Sequence, residues 1–374
     1  MLRKIFTVAI ILLIITGVAH AEEKKSVWSP EMRIGLASDV KKVTLRVSAP
    51  CLLTDAKTGK QLKKIPADKN FVIDYAKLKA DAVELRPQKI SLRELQTTID
   101  GKKYFGGVRL NKVKGSFTVI NLVPLEDYLR GVVSKEMSPS FPLEALKAQT
   151  VAARSFAMKN RHRHESEGFD LCATTHCQVY DGAAIYDSTD KAVDETRGEV
   201  MLFRGKVADT NFHTDSGGMT ENVGEVWGTA APYLIAVKEL LKLGEPWTVK
   251  VTKKDFASRF GSGFGDLKSV KLSKLTIGKE ANDRSSSGRV KFAQLIGTKK
   301  TLKISGNDLR RKFSLPSTLF DIKISGKEVI FTGYGHGHGV GMSQVGAKSY
   351  AEDGWSYEKI LSHYYRGAEL KKVY

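Results

Sequence analysis

Four groups of residues in this chain have the types and spacing that chemistry requires. The first is a single carboxyl, Glu136, set in SKEMSPSF between Val133, Met137 and Phe141. A carboxyl in an apolar corner keeps its proton to higher pH, which suits a general acid. The plainer reading is a solvated glutamate at a helix end. The second group is RHRHESEGFDLCATTHCQVYDG, with Cys172, His176 and Cys177 close together and His162 and His164 upstream. Cys and His within a few residues suit zinc, although the spacing is not that of a zinc finger. In an oxidising compartment a disulfide between Cys172 and Cys177 is the alternative, and Cys51 is then left over as a buried thiol. The third group, His213, Asp215 and Ser216 in FHTDSGG, has the residue types of a hydrolytic triad. The serine lacks a G-x-S-x-G elbow, and the three residues lie too close along one segment, so a serine hydrolase is rejected. The fourth is GYGHGHGVGMSQVGA, where His336 and His338 would share a face if extended. Its alternating glycines allow close backbone approach and positive φ, and no third metal ligand is obvious.

The elements that must position these groups can be read from periodicity. Leu125, Leu129, Val132 and Val133 recur at helical spacing and predict a helix over 125–136 that ends at Glu136. Pro139 and the flanking serines break it, and Pro142 opens a second helix that runs to about Lys159. On that helix Leu143, Leu146, Val151 and Phe156 are core candidates, and Ala145, Ala148, Ala152 and Ala153 allow close packing. Gln149, Thr150 and Arg154 are its polar exceptions. Residues 22–110 alternate apolar and polar side chains and read as a β-rich region, with a hairpin over 104–123 leading into the first helix. Residues 238–330 read as short strands with basic turns. Two helices close the chain, one stopping at Gly354 and one at Gly367. The fold class expected is α+β, β-rich with a helical catalytic segment.

The strings LEDYLRGVVSKEM and FPLEALKAQTVAARSFA, followed by DLCATTHCQVYDG, FHTDSGG, SSGRV and GYGHGHGVGMSQVGA in that order, resemble the stage II sporulation protein D family (SpoIID/LytB). The resemblance covers roughly residues 105–370. It implies a peptidoglycan lytic transglycosylase that prefers glycan strands stripped of stem peptides, with Glu136 as general acid and base. It also implies that Gln149 and Arg154 support Glu136 or bind sugar, and that zinc is held through two cysteines and one histidine. Cys172 and Cys177 match the cysteines, with His164 and His176 as the candidates for the histidine. Such a metal is expected to be structural. Ser216 is expected to line the glycan site, and His338, Ser343 and Gln344 to close over the glycan beside Glu136. Ser343 equally fits the cap of the helix that follows. Trp227 is read either as a sugar-stacking ring or as core. The LytB branch implies a rival reading, a wall-binding module that modulates an amidase without catalysis; a zinc-dependent wall hydrolase is a third.

Residues 1–21 read as an export signal, with basic Arg3 and Lys4, an apolar stretch and a cleavage site at Ala19-His20-Ala21. The apolar stretch is short for a membrane span, and an uncleaved anchor is the alternative. Domains are accordingly read as 1–21 signal, 22–110 β-rich region and 111–374 catalytic domain. The protein is expected in a periplasm or at a cell wall. The chain carries a net charge of +19, or +17 without Arg3 and Lys4. An exported basic protein needs an anionic partner, and peptidoglycan strands qualify. Export, and the lack of any recognisable nucleic-acid module, argue against nucleic acid.

Overall fold

The computed structural model describes residues 29–240 and 244–374. The expected signal segment lies outside them. Among the described residues no helix is long and apolar enough to cross a membrane. The architecture is α+β.

A seven-stranded sheet carries the helical segment. Its strands run in the order Leu171–Cys172, Glu31–Val40, Ser116–Pro124, Gly107–Val113, Ala82–Pro87, Cys51–Asp55 and Gln61–Ile65. All neighbours are antiparallel except Leu171–Cys172, which runs parallel to Glu31–Val40. Ser116–Pro124 is buried on both faces, as its nearly unbroken apolar run requires. Phe117, Val119 and Val123 join the main core, while Ile120 and Leu122 pack with Phe169 on the other side. A four-stranded sheet from Lys42–Val47, Phe71–Asp74, Gln96–Ile99 and Lys102–Phe105 adds Val43, Leu45, Val47 and Ile99 to the same core. The sequence-based boundary at 110/111 falls inside the strand Gly107–Val113. One apolar cluster runs across it, from Met32 to Tyr365.

Helix α1 (Leu125–Glu136) follows the strand Ser116–Pro124 with no loop, and helix α2 (Leu143–Lys159) follows after six residues. Pro142 is the cap residue of α2 rather than its first helical residue. Ala145, Ala148, Ala152 and Ala153 are fully buried, so α2 runs through the middle of the core. Neighbouring it are α1 and the helices Asp187–Glu195, Gln344–Glu352 and Tyr357–Tyr364.

Residues 247–333 build a second apolar core from two three-stranded sheets and the helices Lys253–Ser258 and Gly306–Phe313. Phe256 stacks on Phe313 and on Phe331 at its centre. The chain then returns to the first core through the glycine-rich segment. There Met342–Ser343 pairs in parallel with Phe212–His213.

Candidate active site

Glu136 occupies the last turn of α1, and its neighbours Val133 and Met137 are buried. The Val179 amide donates to Oε1 at 3.0 Å, and the Gln344 side-chain amide donates to Oε2 at 3.4 Å. No Lys, Arg or His among the described residues forms an ion pair with it. Burial raises the Glu136 pKa above the ordinary glutamate value, and the two hydrogen bonds oppose the rise only in part.

The Val179 amide is held in place by its neighbours. Gln178 is 1% exposed; it accepts from the Tyr128 hydroxyl at 3.1 Å and donates to the Ala153 carbonyl at 3.2 Å. The Tyr180 hydroxyl donates to Asn121 Oδ1 at 2.9 Å, and Asn121 donates to the Phe105 and Gly107 carbonyls. The Tyr180 ring lies on α1 at Gly131, where the Asp181 amide donates to the Gly131 carbonyl. A Cβ at position 131 would stand 2.2 Å from the Gly182 carbonyl oxygen and 2.6 Å from the Tyr180 ring. Glycine therefore lets the 178–182 segment lie on the helix.

The same segment begins at the Cys/His cluster. The ligand atoms of His164, Cys172, His176 and Cys177 all lie within 4.8 Å of one another. Cys177 Sγ is 3.4 Å from His164 Nε2 and 3.6 Å from His176 Nδ1, and Cys172 Sγ is 3.7 Å from His176 Nδ1. Zinc–ligand bonds of about 2.0–2.3 Å put tetrahedral ligands roughly 3.3–3.8 Å apart, so these donors fit zinc. His164 bonds Glu167 through Nδ1 at 2.5 Å, which leaves Nε2 for the cluster and fixes its direction. Both cysteines are free thiols here. Burial opposes ionisation of Cys172, but Thr174 and His176 bring its pKa down to about 6; burial pushes Cys177 up to about 11. His162 is an exposed residue outside the cluster.

The other expected site residues separate into three groups. Gln149 and Gln344 belong with Glu136: Gln344 Nε2 also reaches Gln149 Oε1 at 3.5 Å, so fully buried Gln149 orients Gln344. Arg154, Ser216 and Ser343 are each completely buried with internal partners. Arg154 makes a two-pronged ion pair with Glu126 at 2.9 and 2.7 Å and also donates to the Glu199 carbonyl. It ties the start of α1 to α2; removing one member of such a buried pair costs about 3–5 kcal/mol. The Ser216 hydroxyl donates to the Glu239 carboxyl, and Ser343 caps the helix Gln344–Glu352 by accepting from the Gly346 amide at 3.0 Å. His213 bonds the Val340 carbonyl rather than a serine, consistent with the rejection of a triad. The His338 ring lies 5.0 Å from that of Trp227. Gly341 has φ +71°, and a Cβ there would meet the Asn211 carbonyl at 1.9 Å, which accounts for that glycine without a ligand.

Gln178, Val179, Tyr180 and Gly131 were missed by sequence reasoning. A backbone amide carries no side-chain signal, but a glutamine between two apolar residues in CQVYD was a usable hint of a buried polar contact.

Fold and site together define an α+β protein built round one protonatable carboxyl and a Cys₂His₂ cluster. Sequence comparison gives the family. The Stage II sporulation protein profile matches residues 113–203, and a domain of unknown function (DUF8618) matches 246–341. Stage II sporulation protein D of Bacillus amyloliquefaciens is 34% identical over 269 residues, covering 67% of this chain and 75% of that protein. An uncharacterized protein of Brachyspira hyodysenteriae is 35% identical over 285 residues, 73% of each chain. The amidase enhancer of Bacillus subtilis is 30% identical over 345 residues, 80% of this chain but 48% of that protein. The chain belongs to the stage II sporulation protein D family.

Proposed function

We propose that the protein is an exported lytic transglycosylase that cleaves the bond between N-acetylmuramic acid and N-acetylglucosamine in peptidoglycan glycan strands. The observation that carries this reading is Glu136: one partly buried carboxyl with raised pKa, no cationic partner and two neutral donors. Protonated Glu136 gives its proton to the glycosidic oxygen, and the bond from that oxygen to the muramyl C1 breaks. The N-acetylglucosamine side leaves with a free 4-hydroxyl. The Glu136 carboxylate then takes the proton of the muramyl 6-hydroxyl as its oxygen attacks C1. This closes a 1,6-anhydro ring and returns Glu136 to its protonated form, with no water consumed. The Val179 amide holds Oε1 as an acceptor. The longer contact at Oε2 leaves that oxygen to carry the transferable proton.

One carboxyl suffices for this sequence, whereas ordinary glycosidases need two, about 5–9.5 Å apart. Asp127 and Glu126 lie nine and ten residues earlier on α1, which is roughly 13–15 Å along the axis. Glu239 is buried and bonded to Ser216 and Tyr364. The Cys/His cluster would hold zinc with four protein donors. Four protein donors would give such a metal a structural part, anchoring the segment that delivers Val179.

The test uses parent protein and Glu136→Gln on intact peptidoglycan and on amidase-stripped strands, with mass spectrometry of the soluble products. Fragments ending in 1,6-anhydro-N-acetylmuramic acid, absent with the variant, are expected. Reducing-end products would mean hydrolysis by water. The second reading is a wall-binding module that stimulates an amidase, favoured by the amidase enhancer's likeness over 80% of the chain. It takes over if both proteins bind strands and release nothing.

A further inference from the structure

The second apolar unit meets the first beside Trp227, and a cavity of about 680 Å³ opens there. Its walls come from both units: Val226, Trp227 and His338 on one side, Asn307, Arg310 and Leu315 on the other. Asn307 donates to the Val226 carbonyl at 3.4 Å and joins the two sides. Neither the Cys/His cluster nor Glu136 lines it.

Arg310 is the unusual group. It is half-buried, and its one hydrogen bond within the described residues runs from Nε to the Leu315 carbonyl at 3.3 Å. No carboxylate among the described residues pairs with it, and burial alone lowers its pKa. A second cation reinforces it: Arg289 is 2% exposed, and its Nε and Nη1 have no partner among the described residues. Burial, helped by the field of both arginines, pushes the His338 pKa down to about 4. His338 is therefore a neutral flat wall, with Nδ1 accepting from the Val340 amide at 3.0 Å. Trp227 is 47% exposed and presents an indole face next to that wall. An unpaired guanidinium matches a carboxylate in two-pronged geometry, and an exposed indole offers an apolar face with a polar edge.

We propose that this cavity is a subsite for an acidic sugar, with the ring on Trp227 and the carboxylate on the free Nη1 and Nη2 of Arg310. The proposal rests on the glycan-strand reading given above. In a strand without stem peptides the lactyl group of muramic acid ends in a free carboxylate; with a stem peptide attached it is a neutral, bulky amide. Arg310 thus supplies a physical reason for preferring stripped strands, and it assigns a role to the 247–333 unit. Gln344, which touches Glu136, lies six positions beyond His338 in the chain. An extended chain of that length spans at most about 20–22 Å, so the subsite lies within a few sugar units of the carboxyl.

The test is a binding measurement on Glu136→Gln protein, so that no turnover is needed. Titration calorimetry compares a muramic-acid tetrasaccharide bearing free lactyl carboxylates with its carboxamide and with chitotetraose; glycerol phosphate serves as competitor. The carboxylate form is expected to bind at least tenfold more tightly than the carboxamide. Arg310→Gln should erase that difference while leaving carboxamide affinity within twofold, and Arg310→Lys should retain part of it. Trp227→Ala should weaken all three sugars. Equal affinity for carboxylate and carboxamide in the Arg310-bearing protein would overturn the proposal, even if Arg310→Gln failed to fold. Equal loss for both ligands in a folded Arg310→Gln, or stronger competition by glycerol phosphate, would also overturn it. If wall digestion yields no anhydro products while this selectivity holds, the catalytic reading falls and the subsite stands.

Discussion

At the scale of single residues, Glu136 links chemistry to stability with a definite sign. Its folded-state pKa is raised by burial, so the folded protein holds this proton more tightly than the unfolded chain does. The contribution is present at low pH. It is lost as pH rises from the ordinary glutamate value through the raised one. Glu136→Gln removes a group that must ionise in a partly buried place, while its amide can still accept from Val179. The variant should therefore melt near the parent temperature at pH 4 and above it at pH 7, with the gap opening between. A gap that stays constant with pH, or one of opposite sign, would show that the carboxyl is not raised. Much of this residue was legible in sequence, because Met137 and Val133 stand beside it. The donors were not: Val179 acts through its backbone, and Gln344 is 208 positions away.

At the scale of elements, α1 and α2 were legible almost to the residue, since apolar spacing and Pro139 mark their ends. What sequence did not show was which polar residues turn inward. Arg154 and Gln149 sit on the same helix, yet one is committed to Glu126 and the other to Gln344. Both are long polar side chains on an otherwise apolar helix, and only the partner across the core shows what each one serves. The same holds for Ser216 and Ser343, whose hydroxyls serve Glu239 and a helix cap. Gly131 offers the sharpest test at this scale. Gly131→Ala favours the helix by about 1 kcal/mol on propensity. Its methyl, however, must displace the Gly182 carbonyl or the Tyr180 ring, and such overpacking costs about 1–3 kcal/mol. The displaced segment withdraws the Val179 amide, which raises the Glu136 pKa further. Strand cleavage should fall more than tenfold and its pH optimum move upward. A folded Gly131→Ala protein with an unchanged pH profile would separate Val179 from the chemistry.

At the scale of the whole molecule, the Cys/His cluster stands where the sheet and the helical segment meet. Cys172 belongs to a strand paired with Glu31–Val40, and Val179 two residues beyond Cys177 bonds α1. A metal there would stitch the sheet edge to the catalytic helix, and its binding energy would be folding energy. Purified protein is expected to contain about one zinc per chain. Chelation should lower the melting temperature and abolish cleavage together, and restored zinc should recover both. Cys172→Ser should behave as the chelated protein does, with lowered stability at every pH from 6 to 8, because a serine hydroxyl is a poor zinc ligand. A catalytic zinc would give a different pattern: chelation would stop cleavage while the melting temperature stayed close to that of the metal-bound protein. A disulfide would give a third, with no zinc, no effect of chelator and a lowered melting temperature under reducing conditions. The three patterns do not overlap, because a closed four-donor site couples metal to fold, an open site couples it to reaction, and a covalent bridge couples fold to reductant.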